Sequence, residues 1–433
     1  MRSTRAGAPA DAPASAASGR SDYVSREEAL KLLDVKPATL YTYVSRGWVR
    51  SIPSGDSRRH LFLRPDIERL RGRSQAHSGQ DARSSAALNW GEPIIKTAIT
   101  ELTPSAPRYR NRSALELADL PFEAVANLLW CGALSDGSPW PVAPLPFDPD
   151  VFLQGADIAV PPESVLQTFA TVVCALGIKR AEAGDESVIG DARELLQVLV
   201  GCCGLLRPGG GYLHPHPNEP LAEALARAFG IAPNPPAVRA LNAALVVNAD
   251  HELGPATFSS RVAASTGARL HACVANGILA HSGDFRDGSA QRMEALLRSG
   301  TIRAPSESQL AFVRDHGTEL GFNHPLYPRG DPCAWAMLSI ARALPKAPPQ
   351  ARHAFRFLDT VQQACHVYPG RVAGLAAMAV ALRLPRHAAS ALWMVSQAAG
   401  LVAHVIEQRT MGSSIRPRAQ FVPTAGSEGQ DRH

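Results

Sequence analysis

VVNADHELGPATFSSRVAASTGARLHACVANGILAHSGDFRDGSA, residues 246–290, decides how the rest of the chain is read. It opens on a dense polar group, Ala249-Asp250-His251-Glu252, and closes on a second, GDFRDGSA, at 283–290. A stretch with helical patterning separates them. Three further motifs follow in order: GFNHPLYPRGDP at 321–332, LVAHVIEQ at 401–408 and IRPRAQFV at 415–422.

Outward from these motifs the pattern is helical from Asn89 to about Pro423. Apolar residues recur at helical spacing in PFEAVANLLWCGAL from Pro121, in Val372–Leu384 and in Ala388–Glu407. Pro- and Gly-rich breaks at 141–149, 207–220 and 232–236 separate the segments. Convincing strands are few. The 433 residues, 45% apolar and 19% charged, are enough for two or three domains with a substantial core. No run of about 18 apolar residues is evident, so no membrane span is expected. The N-terminus has arginines but no apolar stretch of the kind a secretory signal needs. Seven cysteines in no metal-binding or CxxC spacing read as free thiols in a reducing cytoplasm. His214 and His216 alternate with prolines on a loop, which is too little for a metal site, and no metal is expected.

Charge divides the chain. Residues 1–83 hold 15 Lys and Arg against 9 Asp and Glu, or +6, and the remainder holds 29 against 30, or −1. The excess points to a polyanion partner for the N-terminal part. Residues 1–21 are Ala-, Ser-, Gly- and Pro-rich and have no means of forming a core. A unit spans 22–73, a polar linker 74–88, and a polar tail 424–433. Within the unit, Ser25-Arg26-Glu27-Glu28 fits a capping box at the start of a helix. Asp34-Val35-Lys36 makes a turn, and Pro37 begins a second helix. A strand pair with a turn at Ser54-Gly55-Asp56 and a further helix after Arg64 complete it. This order resembles the small winged helix-turn-helix of MerR-type regulators and excisionases. The resemblance implies DNA as partner, with Lys36, Thr39, Tyr43 and Arg46 at the second helix, and Arg58 and Arg59 on the wing holding phosphates or the minor groove.

The motifs of the long body resemble those of the citrate synthase family, in order and from about Gly91 to Pro423. The resemblance implies a mainly α protein: a small winged helix-turn-helix domain followed by a two-domain, all-helical fold at 89–423. Its large domain would span about 89–285 and 376–423, and its small domain about 286–375, closing over a cleft in a homodimer. The family joins acetyl-CoA to oxaloacetate to give citrate and CoA. By position, His251 matches the substrate-contacting histidine of ADHE, and His324 the histidine that faces the oxaloacetate carbonyl. Arg416 matches an arginine contributed across the dimer. Other positions differ. Arg286 stands for the enolate-stabilising histidine and Val372 for the catalytic aspartate. Cys333 and Gln397 each stand for a substrate-binding arginine.

A missing base typically costs about 10²–10⁴-fold in rate, and a missing oxyanion donor about 10²–10³-fold. Three readings follow. The first is a cytoplasmic DNA-binding regulator that senses a metabolite, an oxo or carboxylic acid or an acyl-CoA. The second is an acyltransferase condensing an acyl-CoA with an oxo acid, with Asp284 or Asp287 as replacement base. The third is a partner subunit of an intact citrate synthase in a heteromer. No permanently bound cofactor is implied; acetyl-CoA would be substrate or ligand.

Overall fold

The structure, a computed structural model, describes residues 23–33, 35–45, 49, 51–53, 60–64, 66–67, 95–156, 162–183, 187–299, 305–324, 326–345 and 347–417. The chain divides into two compact units, Met1–Lys96 with Pro417–His433, and Thr97–Arg416.

The first unit is built from β1 (Tyr23–Val24), α1 (Arg26–Leu33), α2 (Pro37–Ser45), β2 (Ser51–Pro53) and β3 (His60–Leu63). The strands are antiparallel in the order β1-β3-β2, over a core that includes Ala29, Leu33, Leu40 and Phe62. Ser25 caps α1: its Oγ accepts the Glu28 amide at 3.1 Å. The expected capping box changes in its other half, because the Glu28 carboxylate pairs with Arg64 Nη2 at 2.6 Å. A charge-assisted bond to a guanidinium outweighs one to a neutral amide. Pro37 opens α2 and β2 pairs with β3 as the pattern requires. The two-residue strand β1 is too short for any alternation to announce it. Arg46, Arg58, Arg59, the turn at 54–56, the linker 74–88 and the segments 1–21 and 424–433 lie outside the described residues.

The second unit begins with a small antiparallel sheet of β4 (Thr100–Leu102), β5 (Pro107–Tyr109) and β6 (Arg112–Ser113), again strands too short to read from sequence. The rest is helical: α3 (Phe122–Cys131), α4 (Pro149–Gly155), α5 (Val165–Ala183), α6 (Val188–Cys202), α7 (Leu221–Ala228), α8 (Pro235–Val247), α9 (Pro255–Ser265), α10 (Leu270–His281), α11 (Ser289–Arg298), α12 (Glu307–His316), α13 (Pro332–Ala343), α14 (Pro349–Cys365), α15 (Arg371–Ala381) and α16 (Ala388–Met411). The mainly α expectation holds. Proline starts many of these helices at a position where the missing N–H is harmless. Asp148, Asn234 and Asp331 cap three of them by accepting first-turn amides.

One continuous apolar core runs through this unit. Helix α16 lies at its centre, with Leu392, Val395, Leu401 and Val405 wholly buried. The Trp130 indole of α3 donates to the Ala399 carbonyl at 2.9 Å. By length and composition α16 is apolar enough to cross a membrane, yet 89% of its most apolar window is buried inside the protein, so its hydropathy is that of a core helix. The seven cysteines are free thiols, with Cys202 and Cys203 packed in the interior.

Candidate functional site

Helix α8 delivers the chain to Asn248 and Asp250, both fully buried. The Tyr109 hydroxyl on β5 reaches the carbonyls of Val247 and Asp250 at 3.1 and 3.2 Å, and the Gly400 amide of α16 donates to the Ala249 carbonyl. The backbone then turns through Glu252, whose φ of 57° is left-handed. Asp250 Oδ2 accepts the Glu252 amide at 3.1 Å, which offsets the strain of that conformation. A second left-handed residue, Asn323 (φ 56°), precedes His324, and its Oδ1 accepts the Tyr368 amide. The two turns bring His251 and His324 together with ring centroids 5.2 Å apart, and Tyr327 lies 5.0 Å from the His324 ring. His324 Nδ1 accepts the Leu326 amide at 3.2 Å, so the neutral ring carries its hydrogen on Nε2.

Beneath the pair lies a buried ion pair that sequence reading missed. Asp331 caps α13, its Oδ1 accepting the Cys333 amide at 2.8 Å. Its Oδ2 lies 3.0 Å from Nε of Arg371, the first residue of α15. Arg371 also points Nη1 at the Asp250 carbonyl and Nη2 at Cys333 Sγ, 3.7 Å away. Burial, with the charge of Arg371 behind it, holds His251 well below the usual histidine range. Burial lowers His324 too, helped by Arg371 and Arg286. Both rings are therefore neutral near pH 7 and able to donate or accept. Burial pushes the Cys333 thiol up to about 12 against the opposing pull of Arg371, so it is no nucleophile.

A second buried chain leads away from the site. His404 Nε2 lies 3.3 Å from Asp250 Oδ2, and its Nδ1 lies 3.1 Å from Arg261 Nη1. Arginine can only donate, so Nδ1 accepts and Nε2–H faces Asp250. Arg261, wholly buried, continues to Glu407 at 2.6 Å and to Gln408 at 3.0 Å. Burial would raise the Asp250 carboxyl, but His404 together with hydrogen bonds that include the Glu252 amide keeps the group below its ordinary value.

The remaining expected positions fall in different places. Val372 follows Arg371 and packs on Gly321, where a Cβ would come within 2.7 Å of Val372 Cβ. Gln397 is buried and donates to the Asn248 carbonyl at 2.6 Å, which braces the turn into the site. Cys333 is buried against Arg371. Arg286 is exposed in a π-helical turn, Asp284–Gly288, and its charge reaches His324. Arg416 is exposed at the end of the unit, without contact to the histidine pair in this chain. Asp284 is exposed and paired with Arg292 at 2.7 Å, while Asp287 is buried and accepts from Gln291 at 2.8 Å. His214 lies edge-on to Tyr212. Among the described residues no group of three or more His, Cys, Asp or Glu is placed to hold a metal. In the first unit Lys36 is exposed, and Thr39 and Tyr43 are partly buried. Arg371 had one legible signal, a lone charge at the start of an apolar run, which demands a buried partner. Asp331 before Pro332 reads as a helix cap, but nothing local announces its ion pair.

The arrangement offers hydrogen-bond donors and a fixed cation beside two neutral imidazoles. The buried carboxylates beside them, Asp250 and Asp331, are held by His404 and Arg371, and the carboxyl of half-buried Glu252, next to His251, is pushed up by burial and by the charge of Asp250. Such a site suits an oxyanion or carboxylate ligand.

A family model described as "Citrate synthase, C-terminal domain" matches residues 88–418. Citrate synthase 2 of Bacillus subtilis is 25% identical over 262 residues, covering 58% of this chain and 70% of that protein. Citrate synthase of Haloferax volcanii is 27% identical over 330 residues, 70% of this chain and 86% of that one. The fold is similar to that of Thermoplasma acidophilum citrate synthase in its ternary complex with carboxymethyl coenzyme A and oxaloacetate. The TM-score is 0.64 at 22% identity, over 77% of this chain and 94% of that one.

Proposed function

The chain belongs to the citrate synthase family, and from that membership we propose that it is a ligand-binding member whose cleft takes an oxo acid and an acyl-CoA without efficient condensation, while its N-terminal unit reads DNA. The observation that carries the reading is an imbalance between donors and bases. Condensation needs a carboxylate free to take a proton from the acyl methyl. Asp250 accepts from His404 and the Glu252 amide, and Asp331 from Arg371 and the Cys333 amide. Val372 stands where the family's aspartate would be. Asp284 and Asp287 are engaged with Arg292 and Gln291. Donors remain plentiful: His251, His324 and, at the edge, Arg286. The carboxyl of Glu252, half-buried beside His251, is pushed up by burial and by the charge of Asp250; with the other carboxylates engaged, a site this rich in donors binds anions better than it deprotonates carbon.

The basic charge of residues 1–83 and the paired helices α1 and α2 support the DNA-reading part. Closure of the segment 286–375 over a ligand would pass to DNA by changing the placement of two such units in a dimer.

The test is calorimetric titration of the full chain with oxaloacetate and acetyl-CoA, alongside CoA-thiol release and DNA affinity with and without each ligand. Binding without thiol release, and a ligand-dependent change in affinity for one DNA sequence over random DNA, is the expected result. Thiol release abolished by His324→Ala would favour the acyltransferase reading instead. No binding of either ligand would overturn the proposal. Co-purification with an intact citrate synthase would move it to the heteromeric reading.

A further inference from the structure

Away from the two histidines the second unit carries a cleft of about 710 Å³, formed by α4, the loop after α6, the end of α11 and the connection into α16. This is the size of cavity that small organic ligands occupy. Its floor is apolar, with Leu153, Leu206 and Leu384. Its polar lining is unbalanced: Arg207, Arg298 and Arg386 face a single acid, Asp150.

The engaged groups can be separated from the available ones. Arg298 gives Nε to Glu294 at 2.8 Å and Nη2 to the carbonyls of Leu384 and Pro385 at 2.8 Å each, so it builds the wall. Asp150 Oδ1 accepts the Tyr212 amide at 2.8 Å. Arg207 and Arg386 remain. Arg207 Nε is buried with no hydrogen-bond partner, an arrangement proteins rarely leave unmet. Arg386 is exposed and makes no ion pair among the described residues. The stem of Arg207 is fixed in place. It crosses Gly230, where φ is +76° and a Cβ would stand 2.8 Å from Arg207 Cδ, and its own carbonyl accepts the Gly210 amide at 2.8 Å. The cation is thus held ready before any ligand arrives.

We propose that this cleft is a second ligand site, for a small organic carboxylate with a hydrocarbon body. The carboxylate pairs with Arg207 and Arg386, and the hydrocarbon lies on Leu153, Leu206 and Leu384. A guanidinium fork matches a carboxylate in shape and charge, and the leucine floor distinguishes such an acid from a bare inorganic anion. The site shares no residue with the His251–His324 cluster and does not depend on what that cluster binds.

The experiment is calorimetric titration of the full chain with hexanoate, inorganic phosphate and hexanol, repeated on Arg207→Gln, Arg386→Gln and the double variant. Hexanoate is expected to bind, with phosphate and hexanol each weaker by about tenfold or more, since each lacks one half of the recognition. The double variant is expected to lose about tenfold or more in hexanoate affinity and to keep the oxaloacetate and acetyl-CoA behaviour of the unmodified chain. Phosphate binding as tightly as hexanoate would make this a simple anion site and overturn the proposal, as would hexanoate affinity unchanged in the double variant or no hexanoate binding at millimolar concentration. Arg386 is exposed, so Arg386→Gln leaves the fold intact. If Arg207→Gln does not fold, an unchanged hexanoate affinity in Arg386→Gln alone would be equally decisive.

Discussion

Arg371 and Asp331 form an ion pair closed off from solvent, with Nε 3.0 Å from Oδ2 and both side chains almost fully buried. Asp331 also caps α13 and Arg371 begins α15, so the pair ties together the starts of two core helices directly under the histidines. Removing one partner leaves the other charge unmatched in the interior, which typically costs about 3–5 kcal/mol. Asp331→Asn keeps the cap and removes the charge. It is expected to lose about that much in urea unfolding, and Asp331→Asn with Arg371→Met is expected to recover part of the loss. A single variant within about 1 kcal/mol of the unmodified protein would mean that solvent reaches the pair.

Restoring a base is the next prediction. If turnover is limited by what stands at 372 and 286, Val372→Asp with Arg286→His gains CoA-thiol release with acetyl-CoA and oxaloacetate. The unmodified chain stays about 10²-fold or more below it, the lower end of what a general base contributes. Val372 packs on Gly321, so the new carboxylate enters a tight place beside Arg371, a cation that favours its ionised form. Release by the unmodified chain at the same rate would assign proton transfer to another residue.

Most of the fold was legible because it rests on local signals. Pro37 marks a helix start, and the periodic apolar runs mark helices such as α3 and α16. His251 and His324 were legible because the motifs around them resemble those of the citrate synthase family. What sequence could not give was pairing over long separations. Arg371 with Asp331 and His404 with Asp250 join residues far apart in the chain, and burial selects these partners only after the helices have packed. The same applies to Gln397, which reads as a lost arginine and turns out to brace the Asn248 carbonyl. The half-formed capping box at Ser25 is the local version, where a distant Arg64 takes the Glu28 carboxylate that the motif assigns to its own helix.

Acid should weaken the fold before the carboxylates titrate. His271 is 3% exposed, and burial, reinforced by Arg180 and Arg269, lowers it to about 4. The unfolded chain, with histidine near 6.5, binds a proton there that the folded chain refuses. Between about pH 6.5 and 4 the unfolded state therefore holds more protons, and stability rises with pH across that window. This contribution is complete above about 6.5 and is lost on acidification, by about 3 kcal/mol at pH 4. His271→Phe keeps a ring against Gly177 and removes the titrating nitrogen. Its urea midpoint is expected to fall less steeply over the same range, and identical slopes for the two proteins would refute the assignment.

The proposed DNA contacts separate by what each can change. Lys36 is exposed, and its carbonyl accepts the Thr39 amide in the first turn of α2, so replacing its side chain leaves the helix start in place. As a phosphate contact, Lys36→Ala should weaken binding to all sequences alike and reduce the slope of log affinity against log salt by about 1. Tyr43 packs against the core of its unit, so alanine there would confound folding with recognition. Tyr43→Phe keeps the packing and removes only the hydroxyl. If that hydroxyl meets a base edge, discrimination between DNA sequences falls while the salt slope stays as it was, because no phosphate contact has been lost. Were Tyr43→Phe to lower the salt slope and Lys36→Ala to alter sequence preference, the second helix would lie on the duplex differently from the way proposed. No effect from either substitution would remove α2 from the DNA interface.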